Sequence, residues 1–550
     1  MTELLVVMVS ALLVIAAATV VGPRLGIAAP LVLVAIGVGV SFLPAFAAVE
    51  IDPEWILEGV LPPLLYSSAV SMPAMNFRRE FGAISGLSVL LVVASALVLG
   101  LFFTVAVPEL GFTWGVALGA IVSPTDAVAT SIIKQTSVSK RVVAMLDGES
   151  LLNDATALVL LRTAIVAGAA SFSLWGAVGT FAYSVVVALI IGVVVGWLNL
   201  AVRRRVTDST VNTVISFAVP FIACVPAGLL GASGLVAAVV AGLVTGFRAP
   251  RDLSARNRLS DSQNWRTVEL VLEGAVFLTM GLQIQSIVKH VQDDHAGVGT
   301  AVLVAAGALI LTIAVRAAYV GPLLGVLASR SRHGMKVRTR VQTMHDQMGT
   351  PEGKQAAFSE VNRRAKPASE RDLDRFAFRL TQALADIEYF LREPLGWREG
   401  TAVVWAGMRG AVTVAAAQTL PEDTPQRSVL VLIAFAVAAM SLLVQGGTIG
   451  PLLRVITPRV DPGAVEEQVS GERTRIMQLL RDEAEAMPEP PREQGFAVAM
   501  KHRLTVIAAQ RSALLDARDH GTFDADVLAE ELANLDASQI ALELRGRASA

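Results

Sequence analysis

The sequence predicts an all-α membrane protein with about 13 transmembrane helices, one large polar loop and a polar C-terminal tail. Hydrophobic residues make up 54% of the 550 residues and charged residues only 17%, against about 25% in an ordinary soluble domain. Of the 92 charged residues, 24 lie in residues 329–400 and 28 in residues 456–550. The 40 that remain are too few to cover the other 383 residues in water, so a soluble protein is excluded.

Apolar runs long enough to cross a bilayer recur along most of the chain. A spanning helix needs about 20 mostly apolar residues. The predicted spans are residues 3–21, 26–44, 56–73, 83–107, 113–133, 149–170, 175–200, 211–229, 232–247, 267–288, 297–327, 401–420 and 428–453. The chain begins Met1-Thr2-Glu3 without a basic segment or a clear cleavage site, so the first span is predicted to be retained.

Basic residues follow every odd-numbered span. Examples are Arg24 after the first span, Arg78 and Arg79 after the third, and Arg203 with its neighbours after the seventh. Because positively charged loops stay in the cytoplasm, we expect the N-terminus outside and the long loop and tail inside, in a plasma membrane. A missed span would place all later basic loops on the opposite side of the membrane, so the alternation supports the count of about 13.

The charge distribution divides the chain into two parts. Residues 1–455 are predicted to form the transmembrane domain, which includes the cytoplasmic loop 329–400, and residues 456–550 form the tail. Apolar residues at helical spacing predict helices over 370–392 in the loop and 497–545 in the tail. The tail is interpreted either as a solvated helical appendage or as a regulatory or dimer-contacting domain.

Several kinds of chemistry are excluded by the motifs that the sequence lacks. Cys224 is the only cysteine, so neither an intramolecular disulfide nor a CxxC site can form. Neither a pair of His residues at metal-binding spacing nor a Walker A motif is present. The net charge of −2 gives no indication of nucleic acid. We therefore expect no cofactor, no nucleotide and no enzymatic activity, and an ion gradient must drive any transport.

Ionisable residues inside the predicted spans are costly and usually functional. Those present are Asp126, Glu149, Asp154, Arg162, Glu273, Arg316 and Arg409. Pairing between four acids and three bases would hold helices together, but it leaves at least one carboxylate without a basic partner. Such a carboxylate must bind a proton or a cation, because an isolated charge is unfavourable away from water. A group that takes either one, but not both, is the minimum requirement for exchanging the two.

The densest polar cluster lies in the fifth and sixth predicted spans. Pro124 interrupts the fifth span within Ser123-Pro124-Thr125-Asp126, and such breaks are tolerated where they line a cavity or meet another broken helix. In the sixth span Ser150 and Asp154 are four residues apart and share a helix face, as do Glu149 and Asn153. The stripe offers hydroxyl, amide and carboxylate oxygens, which suit a hard monovalent cation. Glu149 and Ser150 alone would also fit a helix cap.

A second interrupted helix is predicted in the twelfth span. Gly407 and Gly410 bracket Arg409 in an otherwise apolar stretch. Paired interrupted helices at corresponding positions of two halves are typical of inverted-repeat transporters. Spans 1–6 and 8–13 would be the repeats, so that the fifth span corresponds to the twelfth.

These motifs resemble the monovalent cation:proton antiporter family, which includes bacterial NhaP-type antiporters and animal sodium/proton exchangers. The resemblance covers about residues 1–455. It rests on Leu61-Pro62-Pro63-Leu64-Leu65, Ser123-Pro124-Thr125-Asp126, Gly148-Glu149-Ser150-Leu151-Leu152-Asn153-Asp154, Glu273 with Phe277 and Gly281-Leu282-Gln283, and Gly407-Met408-Arg409-Gly410-Ala411.

The resemblance implies a fold of 13 spans and a homodimer, in which a six-helix ion-binding core moves against a dimerisation domain. It implies that Asp154 is the carboxylate that alternates between proton and cation. Thr125 (through its carbonyl), Asp126 and Ser150 would complete the cation shell. Glu149 and Arg409 match a buried pair that joins the sixth helix to a broken helix, while Asn153, Glu273 and Arg316 support the site. In one departure, Tyr66-Ser67-Ser68 stands where many relatives carry an acid.

The expected function is secondary active exchange of Na⁺, or another monovalent cation such as K⁺ or Li⁺, for H⁺. The exchange should be electroneutral, because Asn153 stands beside Asp154 and an amide does not titrate. A cation channel is an alternative, but several Arg residues at the same depth do not suit it. An intramembrane aspartyl protease using Asp126 and Asp154 would need a Gly-x-Gly-Asp-type motif, which is absent.

Overall fold

The computed structural model describes residues 2–24, 26–44, 46, 51–107, 110–134, 136, 138–169, 174–294, 297–348, 350–361, 369–456, 462–488 and 496–548. These residues form α-helices, π-helical segments at Trp55–Val60, Gly86–Leu91 and Leu442–Gly446, and connecting turns, so the helical class that the sequence predicts is confirmed. In chain order the helices are α1 (Thr2–Arg24), α2 (Ala29–Ser41), α3 (Leu61–Ser71), α4 (Ala74–Ser85), α5 (Val92–Ala106), α6 (Phe112–Val122), α7 (Val128–Ile133), α8 (Lys140–Ala169), α9 (Leu174–Arg203), α10 (Ser209–Leu229), α11 (Gly234–Asp252), α12 (Ala255–Leu282), α13 (Ile284–Asp293), α14 (Val298–Gln347), α15 (Pro351–Val361), α16 (Glu370–Arg392), α17 (Trp397–Trp405), α18 (Ala411–Gln418), α19 (Arg427–Ser441), α20 (Gly447–Ile456), α21 (Pro462–Glu485), α22 (Phe496–His520) and α23 (Ala525–Ala548).

Nine segments of the described chain are helical, long and apolar enough to cross a membrane. They are Leu5–Arg24, Ala74–Ala106, Lys140–Gly168, Val178–Arg203, Ser209–Leu229, Gly234–Asp252, Ala255–Asp293, Val298–Gln347 and Arg427–Ile456. The four other predicted spans, at 26–44, 56–73, 113–133 and 401–420, correspond to shorter or interrupted helices. The count of 13 therefore stays a prediction.

The chain folds into two compact units. The first unit comprises Met1–Ala249, Ser260–Pro322 and Trp397–Pro458, and it contains every predicted site residue. The second unit comprises Pro250–Leu259, Leu323–Gly396 and Arg459–Ala550, so the tail folds with most of the long loop and with the turn between α11 and α12.

Buried ion pairs join helices of the first unit that are distant in the chain. Arg141 on α8 binds Glu80 on α4, with Nε and Oε1 2.6 Å apart, and both side chains are at most 2% exposed. Arg203 on α9 binds Asp261 on α12 at 2.9 Å. A basic residue beside each acid offsets the unfavourable burial of its charge. The sequence-based list of charges inside the spans contained neither pair.

The second unit has its own small core. Helices α21, α22 and α23 enclose apolar side chains that include Ile476, Leu514 and Val527. The helix predicted over 370–392 is confirmed as α16, and it begins at a capping box in which Ser369 and Asp372 bind each other's backbone. The tail helix predicted over 497–545 is instead two helices, α22 and α23. The residues between them include a glycine with a positive φ of 76°, Gly521.

A cluster of charged side chains attaches the tail to the first turn of α12. Arg258 donates to both carboxylate oxygens of Asp536, at 2.9 and 2.5 Å, and also to the carbonyl oxygens of Pro250 and Leu253. Arg511 donates to Asp536 as well, at 2.8 Å. Burial and the charge of Arg258 lower the pKa of Arg511. Asp536 therefore compensates two basic residues at once.

Candidate functional site

The first interrupted helix is formed by α6 and α7. Helix α6 ends at Val122, and Ser123-Pro124-Thr125-Asp126 is not helical before α7 begins at Val128. Pro124 has no N–H to continue the helix, which explains why the break occurs at this residue. The break predicted from the sequence is thus present. The backbone groups at its two ends have no partners within the helix and must find them elsewhere.

The second interrupted helix, formed by α17 and α18, meets the first one directly. Residues 406–410 separate these helices, as the paired glycines predict. The backbone N–H of Asp126 donates to the carbonyl oxygen of Met408 at 2.7 Å. Each break therefore supplies a hydrogen-bond partner that the other lacks.

Arg409 satisfies the carbonyl end of α6. Its guanidinium donates to the carbonyl oxygens of Val122 at 3.0 Å and Ser123 at 3.4 Å, and to that of Gly407 in its own segment. The C-terminal end of a helix carries partial negative charge, so a cation is favourable there. Arg409 is 2% exposed and acts here as a cap for the broken helix.

The side chain of Asp126 packs tightly against Gly410 in the second break. Its Oδ1 accepts the N–H of Val128 at 3.0 Å, at the start of α7. A Cβ added at Gly410 would lie 1.4 Å from Oδ2 of Asp126. Only glycine at position 410 therefore allows the carboxylate to occupy this place.

Asn153 and Thr125 connect α8 to the first break. The Asn153 amide nitrogen donates to the Thr125 carbonyl oxygen at 3.0 Å and to its hydroxyl oxygen at 2.7 Å. The Thr125 hydroxyl donates in turn to Oε1 of Glu149 at 3.1 Å. The Thr125 carbonyl keeps a second lone pair that is able to bind a cation.

Glu149 pairs with Arg316 of α14, and the predicted pair between Glu149 and Arg409 is wrong. The two guanidinium NH₂ groups of Arg316 contact the two oxygens of Glu149, one of them at 2.7 Å. Arg316 also donates from Nε to the carbonyl oxygen of Val403 at 2.8 Å. The guanidinium of Arg409 already donates its hydrogen bonds to carbonyl groups at the two breaks. Arg316 instead passes close to Gly407, where an added Cβ would lie 2.7 Å from the Cδ of Arg316.

Asp154 and Ser150 lie on α8 on the face that the sequence predicts. No hydrogen bond or ion pair to the side chain of Asp154 is present in the part of the chain that the structure describes. Its charge lies close enough to interact with that of Asp126. Both residues are partly exposed, although residues around them are buried. Arg162, in contrast, is exposed on α8, away from these contacts.

One acid beside the site, Glu269 on α12, was not predicted from the sequence. The predicted Glu273, on the same helix, is near enough for its charge to interact with those of Asp126 and Glu269. Glu269 accepts a hydrogen bond from the hydroxyl of Ser67, at 3.3 Å. Glu269 lies four residues before Glu273 on the same helix face, and this spacing is the sequence signal that could have identified Glu269.

Two polar residues, Ser441 at the end of α19 and Gln445 in the π-helical segment that follows it, were also not predicted. The Ser441 hydroxyl accepts the backbone N–H of Arg409 at 2.9 Å and donates to Gln445 at 2.6 Å. Gln445 donates to the carbonyl oxygen of Trp405 at 3.1 Å. This network fixes the backbone on both sides of the second break.

Apolar helices that surround two interrupted helices and an uncompensated carboxylate define a multi-pass membrane transport protein. A profile of the family described as "Sodium/hydrogen exchanger, transmembrane" matches residues 8–344 and 376–455. The chain belongs to this family.

Similar proteins come from several bacteria. An uncharacterized Na(+)/H(+) exchanger of Mycobacterium tuberculosis is 28% identical over 531 residues, which is 94% of this chain and 86% of that protein. One from Escherichia coli is 34% identical over 47% of this chain and 49% of its own length. A sodium, potassium, lithium and rubidium/H(+) antiporter of Bacillus subtilis is 30% identical over 48% of this chain and 41% of its own length.

A solved structure shares the fold. The sodium proton antiporter MjNhaP1 from Methanocaldococcus jannaschii, at pH 8, superimposes with a TM-score of 0.57 and 15% sequence identity. The match covers 83% of this chain and 99% of that protein. At this level of identity the likeness concerns the arrangement of helices.

Replacing Glu149 should destabilise the protein. Glu149→Ala leaves the guanidinium of Arg316, which is 2% exposed, without its counter-charge, at a cost of about 3–5 kcal/mol. We expect a lower Tm in thermal unfolding of the purified protein. The control is Asp374→Ala, which removes a more exposed pair with Lys354 and should cost about 0–1 kcal/mol. An unchanged Tm for Glu149→Ala would show that this pair does not stabilise the fold.

Adding one methyl group at Gly410 should greatly reduce cation-driven proton movement. In Gly410→Ala the new Cβ would overlap the Asp126 carboxylate, so Asp126 or the break must shift, at a cost of about 1–3 kcal/mol. We expect at least a tenfold loss of cation-driven proton movement in vesicles. Gly450→Ala, in α20, has open space at its Cβ position and should retain activity. Equal activity of the two variants would contradict the tight approach of Asp126 to Gly410.

Proposed function

We propose that this protein is a secondary active transporter that exchanges Na⁺ for H⁺ by alternating access. The observation that carries the proposal is the environment of Asp154. Its carboxylate has no hydrogen-bond or ion-pair partner among the described residues, and it interacts with the charge of Asp126. Two acids that close together in an apolar bundle require a proton or a cation. Asp154 is therefore assigned as the group that alternates between the two.

The cation is proposed to bind oxygen atoms from both interrupted and continuous helices. Asp154 and Ser150 come from α8, and Asp126 and the carbonyl of Thr125 from the first break. All four are oxygen donors, as a hard monovalent cation prefers. Asn153 supports this shell because its amide already holds Thr125 in place.

Four further residues are assigned supporting roles. Glu149 and Arg316 form a buried pair that joins α8 to α14, and the fixed Glu149 carboxylate accepts the hydrogen bond that the Thr125 hydroxyl donates. Arg409 compensates the carbonyl groups that the broken α6 exposes. Glu273 places a further carboxyl group near Asp126, and in its ionised form this group favours cations over anions at the site.

The larger architecture is proposed to follow from the two interruptions. Thirteen spans in two inverted repeats would put the breaks of the fifth and twelfth spans at equivalent positions, where they meet. The protein would be a homodimer in the plasma membrane, with its N-terminus outside and residues 329–400 and 456–550 in the cytoplasm. The alternation of basic loops supports this orientation.

Na⁺ is the proposed cation, with K⁺ as the alternative. The relatives from Mycobacterium tuberculosis and Escherichia coli are named as Na(+)/H(+) exchangers, whereas the name of the Bacillus subtilis relative also includes potassium, lithium and rubidium. Transport measured against Na⁺, K⁺ and Li⁺ in turn, at one pH, decides between them.

Asp154→Asn should abolish exchange without unfolding the protein, because the amide is nearly the same size but neither binds a proton nor carries charge. The measurement is recovery of a quenched pH-sensitive dye when the cation is added to everted vesicles. Asp294→Asn, at an exposed acid after α13, is the matched control. Cation-driven proton efflux from purified Asp154→Asn would remove Asp154 from the mechanism.

The exchange should be one cation for one proton. Asp154 is the alternating acid, and Asn153 beside it cannot titrate. The one-for-one ratio also requires that Asp126, whose carboxylate accepts the backbone N–H of Val128, keeps the same charge throughout the cycle. In proteoliposomes with a clamped membrane potential, the ion gradients at which net flux reverses should not depend on voltage. A reversal point that shifts with voltage would mean that a second acid titrates with Asp154.

A further inference from the structure

Glu269 is an acid near the site to which the proposed exchange gives no role. It lies on α12, one helical turn before Glu273, and its side chain is partly accessible. Its carboxylate accepts a hydrogen bond from the hydroxyl of Ser67 on α3, with the two oxygen atoms 3.3 Å apart. Ser67 itself is 4% exposed, so the hydrogen bond fixes the carboxylate against a buried part of α3.

The partner of Glu269 differs from those of the buried acids nearby. Glu80, Glu149 and Asp261 each form an ion pair with an arginine. Glu269 has a hydroxyl instead, which orients a carboxylate but leaves its charge in place. Arg266 and Lys134 are close enough to affect its charge, yet in the described chain neither forms an ion pair with it.

The surroundings of Glu269 place it between the end of the bundle and the site. Its charge interacts with those of Lys134 and Asp147, which pair with each other at 3.0 Å beside the connection from α7 to α8. Glu273, one turn further along α12, interacts with Asp126.

The acids on α8 and α12 are ordered in the same direction. On α8, Asp147 precedes Asp154 by seven residues, or about 10 Å of helix. On α12, Glu269 precedes Glu273 by four residues, or about 6 Å. The first acid of each helix lies near the basic connection from α7 to α8, which the charge pattern assigns to the cytoplasm. The second acid of each helix interacts with Asp126.

We infer that Glu269, held by Ser67, is the access residue that attracts a monovalent cation from the cytoplasmic side and passes it by way of Glu273 to Asp126 and Asp154. This role rests on the proposed exchange and adds a residue to its path. A fixed negative charge at the mouth of a low-dielectric cleft raises the local cation concentration. Glu269 does not alternate between ions in each cycle, so it sets the cation concentration needed and not the maximal rate.

The test compares kinetic constants in everted vesicles, where added Na⁺ meets the cytoplasmic face. The wild type is assayed first, and absence of exchange there would defeat the proposed function and not this inference alone. In Glu269→Gln we expect the KM for Na⁺ to rise roughly tenfold while kcat changes less than twofold. Glu269→Asp keeps the charge and should remain within about twofold of the wild-type KM.

Variants on α3 test the hydrogen bond separately. Ser67→Ala should raise KM by a smaller factor than Glu269→Gln, because the carboxylate is no longer fixed but keeps its charge. Ser68→Ala, at the neighbouring position, is the matched control and should leave KM unchanged. The inference is overturned if Glu269→Gln keeps the wild-type KM. It is also overturned if Glu269→Gln abolishes exchange at every Na⁺ concentration while the protein stays folded, since Glu269 would then belong to the transport site itself.

Discussion

The structure of the site depends on one constraint, which is that two helices break inside an apolar bundle and their freed backbone groups must still be satisfied. Water is scarce there, and an unpaired N–H or C=O is costly. The two breaks hydrogen-bond to each other: the N–H of Asp126 donates to the carbonyl oxygen of Met408, and Arg409 donates to the carbonyl groups at the end of α6. The carboxylate of Asp126 is held in the centre of the bundle by this arrangement. A continuous helix at either position would leave no place for it.

The buried charges fall into two groups with different physical roles. Glu80, Glu149 and Asp261 are each compensated by an arginine, and these pairs join helices that are distant along the chain. A compensated acid neither needs nor attracts another cation. Asp154 has no basic partner within the described chain, and the charge that acts on it is that of another acid, Asp126. The same residue type therefore stabilises the bundle at some positions and is available to ions at another.

Close packing makes the second break specific for glycine. Gly407 leaves room for the side chain of Arg316, and Gly410 leaves room for the carboxylate of Asp126. A side chain at either position would displace a charged group that has few alternative places in an apolar interior. Each residue of Gly407-Met408-Arg409-Gly410 thus has a role. The two glycines let Arg316 and Asp126 pack closely against the backbone, the Met408 carbonyl accepts a hydrogen bond, and Arg409 caps the end of α6.

The sequence by itself determined the all-helical membrane class, both helix breaks, and the stripe of Ser150 and Asp154 on one face of α8. These features follow from local composition and from the 3.6-residue period, which act over a few turns of chain. Tertiary structure alone decided which arginine meets Glu149, because Arg316 is 167 residues away and the choice depends on how α14 packs past Gly407. It likewise decided that Ser67 of α3 meets Glu269 of α12, 202 residues further along. Periodicity states which face of a helix a residue occupies, but only the packing of the bundle states which other helix that face meets.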